Sequence, residues 1–119
     1  MDFNPSIPIW LQVVTLLEAD IVSGKLPPGS KLPGGRDLAA EYSINPNTAA
    51  RVYQELEARG SCFTRRGLGT FVTDDGDAIR RLREETAKKA MELYLKTLSG
   101  LGYSHEEALS LLREEIEND

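Results

Sequence analysis

Cysteine, histidine and long apolar runs are what this sequence has least of. Cys62 is the one cysteine and His105 the one histidine in 119 residues. An intrachain disulfide is therefore excluded, and a zinc site built on several cysteines has no ligands to draw on. No stretch approaches the roughly 20 apolar residues of a membrane span. Met1-Asp2-Phe3-Asn4-Pro5 lacks the basic flank and long apolar segment of a secretory leader. A reducing, cytoplasmic location without membrane attachment is the expectation. A basic excess is also missing, since the formal net charge is −5. Its distribution matters more than its sum. Residues 1–73 carry seven acidic and seven basic side chains, and residues 74–119 carry twelve and seven. The acidity belongs to the last third, where it reads as a solvated helical surface.

What is present is a 40% hydrophobic chain of a length suited to one domain, or one domain with an appendage. Trp10, Val13, Val14, Leu17 and Ile21 recur at helical spacing and predict a first helix over about Pro8 to Ser23, stopped by Gly24. Leu26-Pro27-Pro28-Gly29-Ser30 is turn chemistry, and Lys31-Leu32 suits a very short strand. A second helix is expected from about Gly34 to Tyr42, with Gly35 costing it on the order of 1 kcal/mol relative to alanine. Asn45 is a good N-cap, Pro46 fits the first helical position, and Gly60 closes the third helix. Two helices joined by about three residues fit a helix-turn-helix.

Two β-prone runs around a glycine-bearing turn, over residues 61–73, read as a hairpin. Asp74-Asp75-Gly76-Asp77 is a polar break. It lacks the spacing and the closing glutamate of a calcium loop. A long helix is expected over about Asp77 to Leu98, polar in its first half and apolar over Ala90, Met91, Leu93, Tyr94, Leu95 and Leu98. Gly100-Leu101-Gly102 ends it, and Ser104-His105-Glu106-Glu107 is a capping box for a last helix striped by Leu109, Leu112 and Ile116. The fold class is thus mainly α with a small β-hairpin (α+β). The expected division is a winged helix-turn-helix over 1–75 and a helical segment over 76–119.

On the third helix, Ala49, Val52, Tyr53 and Leu56 form one face, and Asn47, Ala50, Arg51 and Gln54 the opposite one. The second face is narrow and polar, with small residues near the helix start. It suits a helix whose first turns approach base edges, where Asn and Gln pair with adenine and Arg with guanine or phosphate. Taken alone, it suits an ordinary solvent-exposed face better. Arg65-Arg66-Gly67 adds two cations at a tight turn just downstream, in place to reach a minor groove or a phosphate. Helix pair and basic hairpin together are more specific than either piece. Cys62 reads as packing, His105 as surface. Gly67-Leu68-Gly69 is not a phosphate loop, because no helix with the right lysine follows it. No cofactor is implied. A protein-interaction module and a small enzyme stay open as other classes; the enzyme would need a pocket of convergent titratable groups, for which no candidates stand out.

LPGGRDLAAEYSINPNTAARVYQELEARG, from Leu32 to Gly60, and RRGLGTFV, from Arg65 to Val72, resemble the winged helix-turn-helix signature of GntR-type bacterial regulators. Pro8-Ile9-Trp10-Leu11-Gln12 and Leu26-Pro27-Pro28-Gly29-Ser30-Lys31-Leu32 fit the same pattern. The two helices after the linker, with Gly100-Leu101-Gly102-Tyr103-Ser104 between them, look like the YtrA-type subfamily. The resemblance implies a double-stranded DNA operator as partner, contacted by Arg36, Asn45, Asn47, Thr48, Arg51, Arg65, Arg66, Gly67 and Thr70. It implies repression, in the YtrA-like group often of the regulator's own operon with transporter genes. Gly34, Gly35, Pro46 and Ala50 depart from side chains common in the family, which removes a helix cap and two candidate readout positions. The wide apolar arc points to a homodimer through Met91, Tyr94, Leu95, Leu98, Leu109, Leu112 and Ile116; a closed intrachain helical hairpin is the alternative. A small-molecule effector, if one exists, would bind between the winged domain and these helices.

Overall fold

The computed structural model describes residues 2–118. Their order is α1 (Ile9–Val22), α2 (Gly35–Tyr42), α3 (Pro46–Ala58), β1 (Cys62–Arg65), β2 (Gly69–Val72), α4 (Gly76–Gly100) and α5 (His105–Glu117). The expected mainly α fold with one antiparallel hairpin is what forms. Two compact units meet at Arg83 and Glu84, so the first turns of α4 belong to one and the rest to the other.

In the first unit, α1 buries Val13, Val14, Leu17 and Ile21 along one stripe. Gly24, at φ 85°, adopts the left-handed conformation that stops a helix. The helix starts one residue later than Pro8 and stops one before Ser23, which serve as its caps. Gly34 caps α2 with no side-chain hydrogen bond, as the missing side chain dictates. Its exit was not foreseeable: Ser43 takes φ 55°, the one positive φ at a non-glycine among the described residues. That conformation costs an L-residue about 1 kcal/mol. It brings Ile44 N–H onto Ala39 O at 2.9 Å and turns the chain straight into α3. There Asn45 Oδ1 accepts from Asn47 N–H at 2.8 Å, and Pro46 opens the helix.

Helix α3 packs on both α1 and α2 through Ala49, Val52 and Leu56, each fully buried. Tyr53 Oη donates to Pro33 O and ties α3 to the strand-like segment before α2. In the hairpin Cys62 faces Val72, Phe63 faces Phe71, Thr64 faces Thr70 and Arg65 faces Gly69. The short strand expected at Lys31-Leu32 is a single bridge, Lys31 to Phe71, flanked by Leu32 N–H to Thr70 O and Val72 N–H to Ser30 O, both 2.8 Å. Ile79, near the start of α4, packs on this core.

One buried charge interrupts the apolar packing. Glu18, on α1, accepts from Arg59 Nη1 at 2.9 Å and from Ser61 Oγ at 2.9 Å. Arg59 Nε also donates to Glu55 Oε1 at 3.0 Å. The cluster joins α1, the end of α3 and the start of the hairpin.

The second unit is a helical hairpin. Helix α4 runs two residues beyond the expected Leu98, and Gly102 at φ 93° makes the reversal. The capping box of α5 forms in full: Ser104 Oγ accepts from Glu107 N–H at 3.1 Å, and Glu107 Oε1 from Ser104 N–H at 3.0 Å. The Ser104 N–H, aided by the Ser104 hydroxyl, holds the Glu107 carboxyl below the usual range. Tyr94 Oη donates to Ala108 O at 2.6 Å, joining the two helices. Ala108 is the one buried apolar side chain of this unit among the described residues, whereas Met91, Leu93, Leu101, Leu109, Leu112 and Ile116 are exposed.

The Glu18 cluster generates a prediction. Glu18→Ala strands part of Arg59 and the Ser61 hydroxyl, and the first unit should lose about 2 kcal/mol. Glu18→Gln, which keeps an acceptor for Ser61, should lose less. Denaturant unfolding checks both, and an Ala variant of wild-type stability would show that the cluster is dispensable.

Candidate nucleic-acid interface

Helix α3 divides cleanly into two faces. With Ala49, Val52 and Leu56 buried, the side chains at the intervening positions have only solvent to face. Asn47, Ala50, Arg51 and Gln54 are exposed and, with Glu55, line an open depression of about 530 Å³. Thr48 is half-buried at its edge. Asn45 stands at the same helix end, but its Oδ1 is committed to the cap, so only its amide nitrogen is left to meet a ligand. Arg36 is exposed in the first turn of α2, beside Asp37.

Arg51 has no ion pair among the described residues. The carboxylate four positions on, Glu55, is taken by Arg59. The Arg51 guanidinium lies instead over the ring of Trp10, with Cζ 4.3 Å from its centroid. Trp10 sits in the first turn of α1 and is half-buried against the core.

The hairpin presents the second set of cations. Leu68 N–H bonds Arg65 O at 2.9 Å, and Gly67, at φ 78°, takes the positive φ that the third position of such a turn demands. Arg65, Arg66 and Gly67 are all exposed at this tip. Phe63 and Phe71 stack with centroids 5.7 Å apart, and Arg65 Cζ lies 5.3 Å from the Phe63 ring. Thr70 is half-buried, its hydroxyl 3.3 Å from that of Thr64 across the hairpin. Its side chain is thus partly engaged within the wing.

Sequence reasoning missed Lys31. Gly69, at φ 124°, leaves room for the Lys31 stem; a Cβ at Gly69 would stand 2.8 Å from Lys31 Cε. A third cation is thereby laid along the hairpin with Arg65 and Arg66. The bridge to Phe71, with the hydrogen bonds of Ser30 and Leu32 on either side, brings it there; the sequence suggests a short strand at Lys31-Leu32 but not its partner.

Anion recognition is the chemistry this arrangement supports. Guanidinium and ammonium groups meet phosphate, while Asn, Gln and Arg on a narrow helix face match base edges. Nucleophilic chemistry finds no footing. Cys62 is buried, and burial, with the Glu57 carboxylate adding to it, pushes its thiol up to about 11. Among the described residues no cluster of His, Cys, Asp and Glu is arranged to hold a metal ion. No helix there is long and apolar enough to cross a membrane.

The Cys62 environment makes a prediction. A raised pKa keeps the thiol protonated at neutral pH, and the reactive thiolate appears only as pH climbs toward 11. Native protein at pH 7.5, roughly the physiological range, should label with a disulfide thiol reagent far more slowly than unfolded protein. Equal rates in the two states would contradict the buried placement.

Comparison with known proteins accords with this geometry. Residues 10–72 match the family model of bacterial regulatory proteins, gntR family. The chain is 36% identical over 107 residues to an uncharacterized HTH-type transcriptional regulator, YhcF, of Bacillus subtilis, covering 90% of this chain and 88% of that one. It is 37% identical over 75 residues to the B. subtilis HTH-type transcriptional repressor YtrA, covering 63% and 58% respectively. A GntR family transcriptional regulator from Listeria monocytogenes superposes with a TM-score of 0.88 at 34% identity, covering 94% of this chain and 98% of that one. The chain belongs to the GntR family of bacterial regulatory proteins, with a YtrA-like relationship: it is a transcriptional regulator with a winged helix-turn-helix DNA-binding domain, and not an enzyme.

Proposed function

We propose that the protein is a cytoplasmic repressor that occupies a near-palindromic operator as a homodimer, with its own operon as the first candidate target. The observation that carries this reading is the division of α3: Ala49, Val52 and Leu56 buried on one face, and Asn47, Arg51 and Gln54 exposed on the other, in a unit that also exposes the cations Arg36, Arg65 and Arg66. In this reading α3 lies in a major groove, with Asn47, Thr48 and Arg51 reading or bracing it. Arg36 and the α3 N-terminus, through Asn45, take phosphates. Arg65, Arg66 and Gly67 reach the neighbouring groove, with Thr70 on the backbone side of the wing. Residues 1–75 form the DNA-binding module and 76–119 the dimerisation module.

The case for a homodimer rests on the second unit. Among the described residues, this two-helix hairpin buries no apolar side chain but that of Ala108, too little for a core of its own. Met91, Leu109, Leu112 and Ile116, with the half-buried Tyr94, Leu95 and Leu98, supply the apolar surface that a second copy would cover. A dimer doubles the phosphate contacts and presents two recognition helices related by a two-fold axis, which is the symmetry of a palindrome. The repressor assignment is supported by similarity of the matched portion of the chain to YtrA, a transcriptional repressor of B. subtilis.

The test is enrichment of duplexes from a random pool, followed by fluorescence anisotropy on the enriched duplex and a shuffled control over a range of salt. The reading predicts an enriched site with two-fold symmetry, bound as a dimer by light scattering, with affinity falling steeply as salt rises. Arg51→Ala should weaken the enriched site about tenfold or more per half-site and relax its sequence preference. Arg66→Ala should lower the salt slope by about one for each protomer while leaving preference intact. A monomer that enriches no duplex would overturn the proposal.

A further inference from the structure

We infer that Trp10 is a positioning residue for DNA recognition: it holds the Arg51 guanidinium by its face so that the guanidinium edge is presented to the operator. This inference deepens the proposed function and rests on its assignment of Arg51 to the DNA surface. Trp10 belongs to α1, whose buried stripe Val13, Val14, Leu17 and Ile21 serves the core, and no DNA contact is assigned to it.

The argument begins with the geometry of an arginine. Its guanidinium is planar, with five N–H donors around the rim and none on the faces. A carboxylate partner would occupy the rim, and an arginine so paired has to give up that bond to meet a base or a phosphate. Arg51 avoids this competition. Glu55, at i+4, is drawn away by Arg59 Nε at 3.0 Å, and no hydrogen bond or ion pair engages Arg51 among the described residues. What does engage it is the ring of Trp10, 4.3 Å from Cζ, which uses the face and leaves the rim free.

An exposed arginine with no partner has many rotamers open to it. Ordering a long side chain at an interface has an entropic cost, and a stack formed before binding lowers it. Trp10 is itself held, being half-buried against the core formed by α1, α2 and α3. The stack therefore transmits a fixed position from the core of the domain to the readout face. Tryptophan is the aromatic best suited to this, because its face has the strongest attraction for a cation. The chain has one tryptophan, and this is where it stands.

A double-mutant cycle between Trp10→Leu and Arg51→Ala tests the inference on the enriched duplex. The prediction is that Trp10→Leu weakens binding by about two- to fivefold for each recognition helix when Arg51 is present, and has no effect when Arg51 is already alanine. Trp10→Phe keeps an aromatic face with a weaker attraction and should retain part of the coupling. It also stands in should the leucine variant prove too unstable to assay. Thermal melts of all variants separate loss of fold from loss of binding. If the two single substitutions weaken binding additively, Trp10 acts only through packing and the inference is wrong, while the DNA-binding role of Arg51 stands. If Trp10→Leu, or Trp10→Phe in its place, binds as wild type while Arg51→Ala binds weakly, the inference is again wrong. If Arg51→Ala itself leaves binding unchanged, the assignment of Arg51 to the DNA surface has failed, and the inference falls with it.

Discussion

Everything in the first unit depends on α3 being buried on one side only. Ala49, Val52 and Leu56 lock it against α1 and α2, and the same lock leaves Asn47, Ala50, Arg51 and Gln54 nowhere to go but outward. A helix of thirteen residues has marginal stability in water by itself. Here tertiary packing holds it, so the polar face is free to carry side chains chosen for recognition rather than for helix stability. The Pro33 carbonyl fixes α3 through Tyr53, the Asn45 cap fixes its start, and the Glu18–Arg59–Ser61 cluster fixes its end against the hairpin. These three attachments convert a short helix into a rigid reading head with the basic wing at a set distance from it.

The same economy explains the electrostatics. The chain is acidic overall, yet its first 73 residues are balanced, and Glu18 and Glu55 are occupied by Arg59. Among the described residues, the remaining cations of the α3 face and the wing have no carboxylate partner in an ion pair. The local field that a phosphate would meet is set by Arg36, Arg51, Arg65, Arg66 and Lys31, not by the net charge. The excess of acid lies in the C-terminal third, where the structure shows helices with exposed polar residues and an uncovered apolar surface.

Much of this fold was legible because its signals are local. Helical spacing exposed the buried stripes of α1 and α3, Asn45-Pro46 marked the start of α3, and Ser104 to Glu107 gave the capping box of α5. The family motifs added the order of the pieces and the wing. What was not legible joins residues far apart in the chain. Arg51 meets Trp10 across 41 positions, Glu18 meets Ser61 across 43, and Lys31 meets the hairpin through one bridge. No periodicity predicts such pairs. Ser43 was hidden for another reason: a left-handed serine is an exception that tertiary packing imposes. Thr70 illustrates a further limit, since it reads from sequence as a free polar group but has its hydroxyl 3.3 Å from that of Thr64 within the hairpin.

The most direct measurement is an amide NMR titration of the intact protein with the duplex it enriches from a random pool. The account predicts that the largest shift changes fall on the start of α2 around Arg36, on Asn47 to Gln54, and on Arg65 to Thr70, while α5 stays nearly unmoved. Changes centred on α5, or no changes at all in low salt, would contradict the claim that the outer face of α3 and the wing form the DNA-binding surface.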